Sequence, residues 1–441
     1  MPLELISIAV LVAIFLLSSL LKLHMGALAL VAAFVLGVGV VGESADDVLS
    51  GFPSGLFVIL VGVTFLFAIA QGNGTIDWIV DRAVRLVGGR VWALPWVIFA
   101  LAAGLAAAGA VPPAAVAIIV PTAMGLAYRN GIPPLYMGLM VANGVGAGEF
   151  SPIGVFGVIV NGLAAQSGLE YSAGLLFLST FLFSTFIGVG LHFWFARPAA
   201  RRARAAEPDS PDATPDHGFS SGAGGRSKGT ILAAAPAPTL ERTRLTTPIV
   251  VTLLGIMGMV AAVLFFRADI GFTALTVALI ASVASPEAGK QAIPKIAWPT
   301  VFLIVGIVTY VGLLSRMGTI DYVGQSVESI GAPLLGALLL CVVGAAVSAF
   351  ASTTGILGAL VPLAVPFILA GGVNSVPMLI ALSIASSVVD SSPFSTSGAL
   401  VIANTDPADR DRVFTQLLRW GLSMIVAAPL TAWAIFILPG W

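Results

Sequence analysis

The 441-residue chain has one cysteine, Cys341, three histidines and only 9% charged residues. A single thiol excludes an internal disulfide, a thiolate metal cluster and a CxxC redox pair. Three scattered histidines argue against a His-ligated metal centre. Soluble domains carry roughly 25% charged residues, so this composition excludes a soluble globular protein. The formal net charge of −1 also argues against a nucleic-acid partner, which needs clustered Lys and Arg. What the chain has instead is 58% hydrophobic residues in long blocks and a mean hydropathy of +1.04. That describes an all-α polytopic membrane protein with the lipid bilayer as its solvent.

Apolar blocks at 3–21, 25–42, 53–71, 133–165, 173–196, 247–266, 270–285, 298–315, 375–404 and 417–438 read as ten crossings. The first follows Glu4 with no basic start, and reads as a retained helix rather than a signal peptide. Two more blocks, 91–127 and 333–370, are broken at their centres, and their halves are too short to span. They read as re-entrant hairpins. With the N-terminus outside, only Arg267 and Arg316 of the 20 Lys and Arg residues fall outside, and the other 18 fall inside. This is the positive-inside pattern of an inner (cytoplasmic) membrane protein with both termini outside. The Pro-, Gly-, Ala- and Ser-rich segment 197–246 reads as a disordered cytoplasmic linker.

The two halves match each other. Val61-Gly62-Val63 aligns with Val305-Gly306-Ile307, and Gly74-Thr75-Ile76-Asp77-Trp78 with Gly318-Thr319-Ile320-Asp321-Tyr322, 244 residues apart. At a distance of 241, Val120-Pro121 aligns with Val361-Pro362, Glu149-Phe150-Ser151-Pro152 with Asp390-Ser391-Ser392-Pro393, and Gly157 with Gly398. Five ordered matches indicate a duplication. Repeat one is 1–196 and repeat two is 247–441, each with five transmembrane helices plus one re-entrant hairpin. An odd number of crossings inverts the second copy, as in many secondary transporters. A charged amphipathic stretch in each copy, with Asp77, Asp81, Arg82 and Arg85 or with Asp321 and Glu328, reads as an interfacial helix.

Broken helices at mid-membrane are expected only where they line a cavity or bind something. Four breaks are legible: Gly109-Ala110-Val111-Pro112-Pro113, Ala351-Ser352-Thr353-Thr354-Gly355, the run 146–152 and the run 389–398. Helix N-termini released there would offer NH groups to an anion, and hydroxyls and carbonyls would suit a small cation. Glu149 and Asp390 are the only acids deep in their spans and occupy equivalent positions, which makes them candidates for coupling a cation. Gly109, Gly148, Ser352 and Ser391 are candidate members of the ion site, through backbone carbonyls or hydroxyls. Ser352, Thr353, Thr354, Ser151, Ser392, Ser395 and Thr396 are the candidate substrate ligands, and each could equally cap a half-helix. A serine hydrolase is disfavoured, because His192 has no recognisable partner motif.

At these breaks the sequence resembles the divalent anion/sodium symporter family, especially its malonate and dicarboxylate carrier branch. Ala351-Ser352-Thr353-Thr354 with Val361-Pro362 looks like the family's second hairpin tip, and Ser392-Pro393-Phe394-Ser395-Thr396 like its second break. The first copy departs from the pattern: Ala110-Val111-Pro112-Pro113 replaces the hydroxyl and amide tip, and Ser151-Pro152-Ile153-Gly154 lacks the usual Asn. The resemblance implies a homodimeric elevator that takes up a small dicarboxylate, such as malonate or succinate, with Na+ or H+ as the coupling ion and no other cofactor. Glu149 is then a candidate to compensate for the ligands missing from the first tip. An arsenite or other oxyanion exporter of the same superfamily, or an anion channel, could use the same breaks.

Overall fold

The computed structural model describes residues 3–21, 23–86, 90–205, 244–266, 268–319, 322, 333–349, 353–369 and 373–440. Among these residues the regular structure is entirely helical. The first half runs α1 (Leu3–Leu21), α2 (Met25–Leu36), α3 (Ala45–Ser50), α4 (Ser54–Gly72), α5 (Thr75–Leu86), α6 (Leu94–Ala107), α7 (Pro112–Arg129), α8 (Pro134–Gly148), α9 (Val155–Gln166) and α10 (Ala173–Ala205). The second runs α11 (Thr247–Phe266), α12 (Ile270–Ala284), α13 (Pro286–Ala292), α14 (Trp298–Arg316), α15 (Pro333–Ser348), α16 (Thr353–Leu369), α17 (Ser375–Val388), α18 (Thr396–Ala403) and α19 (Arg410–Ala432). Among the described residues, five segments are long and apolar enough to cross a membrane, and eight shorter apolar helices accompany them. The chain is a multi-pass membrane protein.

Helix boundaries recur at the offsets found between the sequence halves. The starts of α1 and α11 and of α4 and α14 lie 244 residues apart, and those of α7 and α16, α8 and α17, and α9 and α18 lie 241 apart. Turn chemistry repeats as well, since Pro121 and Pro362 each lie inside the second helix of a hairpin. The counterpart of α5, with Asp321 and Glu328, lies outside the described residues. In α5 itself Asp81 is buried and accepts from Arg85 at 2.9 Å, one turn on.

The repeats interlock by crossed packing. α4 of the first lies against α12 of the second, and α14 of the second against α2 of the first. Each crossing is made by small residues: a Cβ on Gly306 would strike the Gly26 carbonyl, and a Cβ on Gly62 would come within 2.6 Å of the Gly271 carbonyl. Without a hydrophobic drive between helices in lipid, such close backbone approach is what packs them. The Val-Gly pairs found by matching the halves therefore mark helix crossings. Ile69 and Ala278 are buried at one crossing, and Ala33 and Tyr310 at the other.

The remaining helices form a second group. α8 is covered by α6, α7 and α10, and α17 by α15, α16 and α19. α18 reaches back onto α7 and α8, which joins the two repeats here too. Loops assigned to the same side of the bilayer meet in three places. Arg316 donates to both carboxylate oxygens of Glu43 at 2.9 Å, Ser375 donates to the Glu170 carbonyl at 2.7 Å, and the Asp406 amide donates to the Tyr128 hydroxyl at 2.9 Å. A miscounted crossing between them would have set those partners on opposite faces.

The linker boundary differs from the sequence reading, as does the last span, whose helix α19 begins at Arg410 rather than at 417. α10 continues to Ala205, so the first nine residues assigned to a disordered linker, 197–205, are helical. Ala and Arg dominate that stretch and are strong helix formers, so the helix outlasts the apolar span that seeded it. Most of the rest of the linker, 206–243, lies outside the described residues.

Candidate substrate and cation site

The two broken helices share a glycine and a serine at matching positions and differ in the bonds that close the turn. In the first, the Glu149 carbonyl accepts from the amides of Phe156 and Gly157 at 3.1 and 3.0 Å, which folds the start of α9 back over the end of α8. Gly157 is required because the Ser151 carbonyl occupies the place of a Cβ, and Gly398 stands in the same relation to the Ser392 carbonyl. Ser151 donates its hydroxyl hydrogen to the Ala107 carbonyl at 2.7 Å, and Ser392 donates to the Ala349 carbonyl at 2.6 Å. Each serine thus ties its break to the end of its own hairpin's first helix.

Several other candidates are engaged within the turn. Ser395 caps α18, accepting from the Gly398 amide at 3.1 Å and donating to the carbonyls of Ser392 and Asp390. Ser391 donates to the Val388 carbonyl and accepts from the Trp420 indole at 2.9 Å. Thr396 is exposed at the start of α18. Gly148 packs against the Ala103 carbonyl of α6, with no space for a side chain. Gly109 adopts φ +104° at the first hairpin tip, where a Cβ would strike Val63. Ser352 lies outside the described residues.

The tips differ chemically. α7 begins with Pro112 and Pro113, which have no N–H, and the next two amides, of Ala114 and Ala115, bond the Val111 carbonyl. The first tip therefore has few donors for an anion, contrary to the expectation for a released helix N-terminus. α16 begins with Thr353 and Thr354, both buried, and no proline stands in its first turn. Hydroxyls therefore stand at the start of the second hairpin's return helix where the first has prolines.

Glu149 and Asp390 come together. They line one cavity of about 10 Å³ with Asn143, Ser184, Ser387 and Ser397, a space at the threshold for one water-sized guest. Glu149 is 2% exposed and accepts from the Ser387 hydroxyl. Asp390 accepts from Ser397 at 2.7 Å. At the second tip Thr353 bonds Ser348, whose hydroxyl donates to the Ser386 carbonyl at 2.7 Å. No Lys, Arg or His lines the cavity among the described residues. Sequence reasoning missed Ser387, Ser397 and Ser184. Ser387 was legible in principle, since it precedes Asp390 by three residues and shares its helical face.

A second, larger crevice of about 490 Å³ lies where α9 and α16 meet α14 and the turn between α3 and α4, with Ser54, Gln166 and Ser315 on its walls. His192 is bonded to the Tyr136 hydroxyl at 2.8 Å and to no serine.

Comparison with known proteins agrees with this architecture. Residues 1–149 match the family model described as the N-terminus of the dicarboxylate carrier protein MatC, and residues 260–440 match one described as citrate transporter. No curated protein matches the chain. Among solved structures, the YdaH transporter of Alcanivorax borkumensis, reported to have an unusual topology, is 15% identical with a TM-score of 0.55; the match covers 94% of this chain and 97% of that one. At that identity the likeness establishes the shared fold. The two family matches carry the assignment to membrane transporters rather than enzymes, and they support the resemblance stated from the sequence.

Proposed function

We infer that this carboxylate transporter, of the divalent anion/sodium symporter kind, takes up a small dicarboxylate such as malonate or succinate, coupled to Na+ or H+. The observation that carries the reading is the meeting of Glu149 and Asp390 in one buried cavity, beside a hairpin tip that offers Thr353 and Thr354. Buried carboxylates with no basic partner are costly in a membrane and suit a cation that arrives and leaves. Substrate charge would be met by the second tip and by that cation, because the first tip lacks donors.

Alternating access would follow an elevator scheme. The interlocked helices α1–α4 and α11–α14 would be the static scaffold of a homodimer, and α6–α10 with α15–α19 the moving part. The crevice between α14 and α16 supports that division, since it lies along the boundary. The positive-inside pattern supports an inner-membrane location with both termini outside and the linker in the cytoplasm.

The test is uptake of labelled malonate into proteoliposomes under an inward Na+ gradient, an inward H+ gradient or neither. Accumulation under one gradient, competed by succinate, is expected; the match of the second half to a citrate transporter model makes citrate the next competitor. Uptake of no di- or tricarboxylate, together with arsenite efflux, would overturn the reading in favour of an oxyanion exporter.

A further inference from the structure

Two inverted copies would ordinarily supply two equivalent ion sites, one per repeat. Here the equivalent acids, Glu149 and Asp390, face the same cavity, and the space between them admits one water-sized guest. The hydroxyl bonded to Glu149 comes from the other repeat, since Ser387 is on α17. Asp390 is held by Ser397, from α18. From α10, Ser184 is 5% exposed, lines the cavity and makes no hydrogen bond among the described residues. From α8, Asn143 is 6% exposed and donates its amide hydrogen to the Leu139 carbonyl, which leaves its side-chain oxygen beside the cavity. A buried oxygen-rich space with two acids, an unpartnered hydroxyl and no basic side chain needs a positive charge to complete it.

We propose that Glu149 and Asp390 form a single monovalent-cation site shared by the two repeats, which takes one H+ or one Na+ per chain. The inference rests on the carrier reading for its role in transport, but the site itself can be counted without substrate. Two carboxylates around one guest titrate as a coupled pair, so the affinity of the site belongs to both. Removing either should therefore abolish the site rather than halve it.

The experiment counts cations on the purified full chain. Equilibrium binding of 22Na+ reports the sodium form, and the infrared band of protonated carboxyl groups at neutral pH reports the proton form. One cation per chain is expected in one of the two assays. The signal should be lost entirely in Glu149→Gln and in Asp390→Asn, with the double variant no different from either. Two cations per chain, a signal halved by each single variant, or no signal in both assays would overturn the shared site. Ser387→Ala keeps both acids and guards against variants that do not fold: it should retain one cation with affinity weakened about tenfold. An unchanged affinity there would count against the site. Malonate counterflow by the wild-type protein tests the carrier reading separately, because exchange needs no gradient. Its absence alongside one bound cation would overturn the dicarboxylate reading and support the site.

Discussion

Ser387 of the second repeat donates its hydroxyl hydrogen to Glu149 of the first, 238 residues away in sequence. Through this bond the end of α8 and the last turn of α17 are fixed to each other inside the helix group that holds both breaks. A change at one break is thereby felt at the other.

The serines that tie each break to its hairpin make equal demands on the fold. Ser151→Ala would strand the Ala107 carbonyl, and Ser392→Ala the Ala349 carbonyl. Each is expected to destabilise by about 1–3 kcal/mol, the cost of leaving a buried polar group unpaired. Thermal unfolding in detergent measures the loss for each single variant.

At the helix crossings, volume rather than polarity decides. Gly306→Ala places a methyl group against the Gly26 carbonyl, and is expected to cost about 1–3 kcal/mol by overpacking. Gly190→Ala on α10 meets open space and should be neutral or stabilising by up to about 1 kcal/mol from helix propensity. The two melting temperatures should move in opposite directions, or only the first should move.

The bidentate bond between Arg316 and Glu43 predicts that Arg316→Lys is not conservative. Lysine would keep the charge and lose the paired geometry, with a loss of about 0.5–1 kcal/mol at this partly exposed site. Glu43→Gln should cost a similar amount, and combining the two should add little. A double-mutant cycle on unfolding midpoints checks it.

Acid sensitivity should appear at the start of α3. There the backbone amide and hydroxyl of Ser44 both donate to Asp47, and the Asp47 amide donates back to the Ser44 hydroxyl at 3.1 Å. These bonds hold the Asp47 carboxyl below its usual range. A group whose folded value is depressed stabilises fully above the unfolded value of about 3.9 and loses that contribution as pH falls through the folded value. Asp47→Asn should flatten this part of the acid limb of the melting profile.

The helical character of the apolar blocks, the two breaks and the place of Glu149 and Asp390 at corresponding breaks were legible because lipid makes apolar length, small residues and buried acids speak plainly. The partners of those acids were not. A hydroxyl residue on a membrane helix carries the same one-letter signal whether it bonds a carbonyl of its own helix, as Thr309 does to Val305, or reaches across repeats, as Ser387 does. Which hydroxyls would be spent within the turn was equally hidden. Ser391, Ser392 and Ser395 are neighbours in sequence, but each is engaged by a different element, and only the folded turn reveals it. The extension of α10 past the bilayer boundary was obscured because composition, not periodicity, drives it.

Crossed packing of α4 with α12 and of α2 with α14 has a consequence for the chain as an assembly. Neither half completes these crossings alone, since each supplies one wall of both. The linker is then a tether between mutually dependent subunits, and severing it between 206 and 243 should leave a functional carrier wherever both pieces are made together and none where one is made alone.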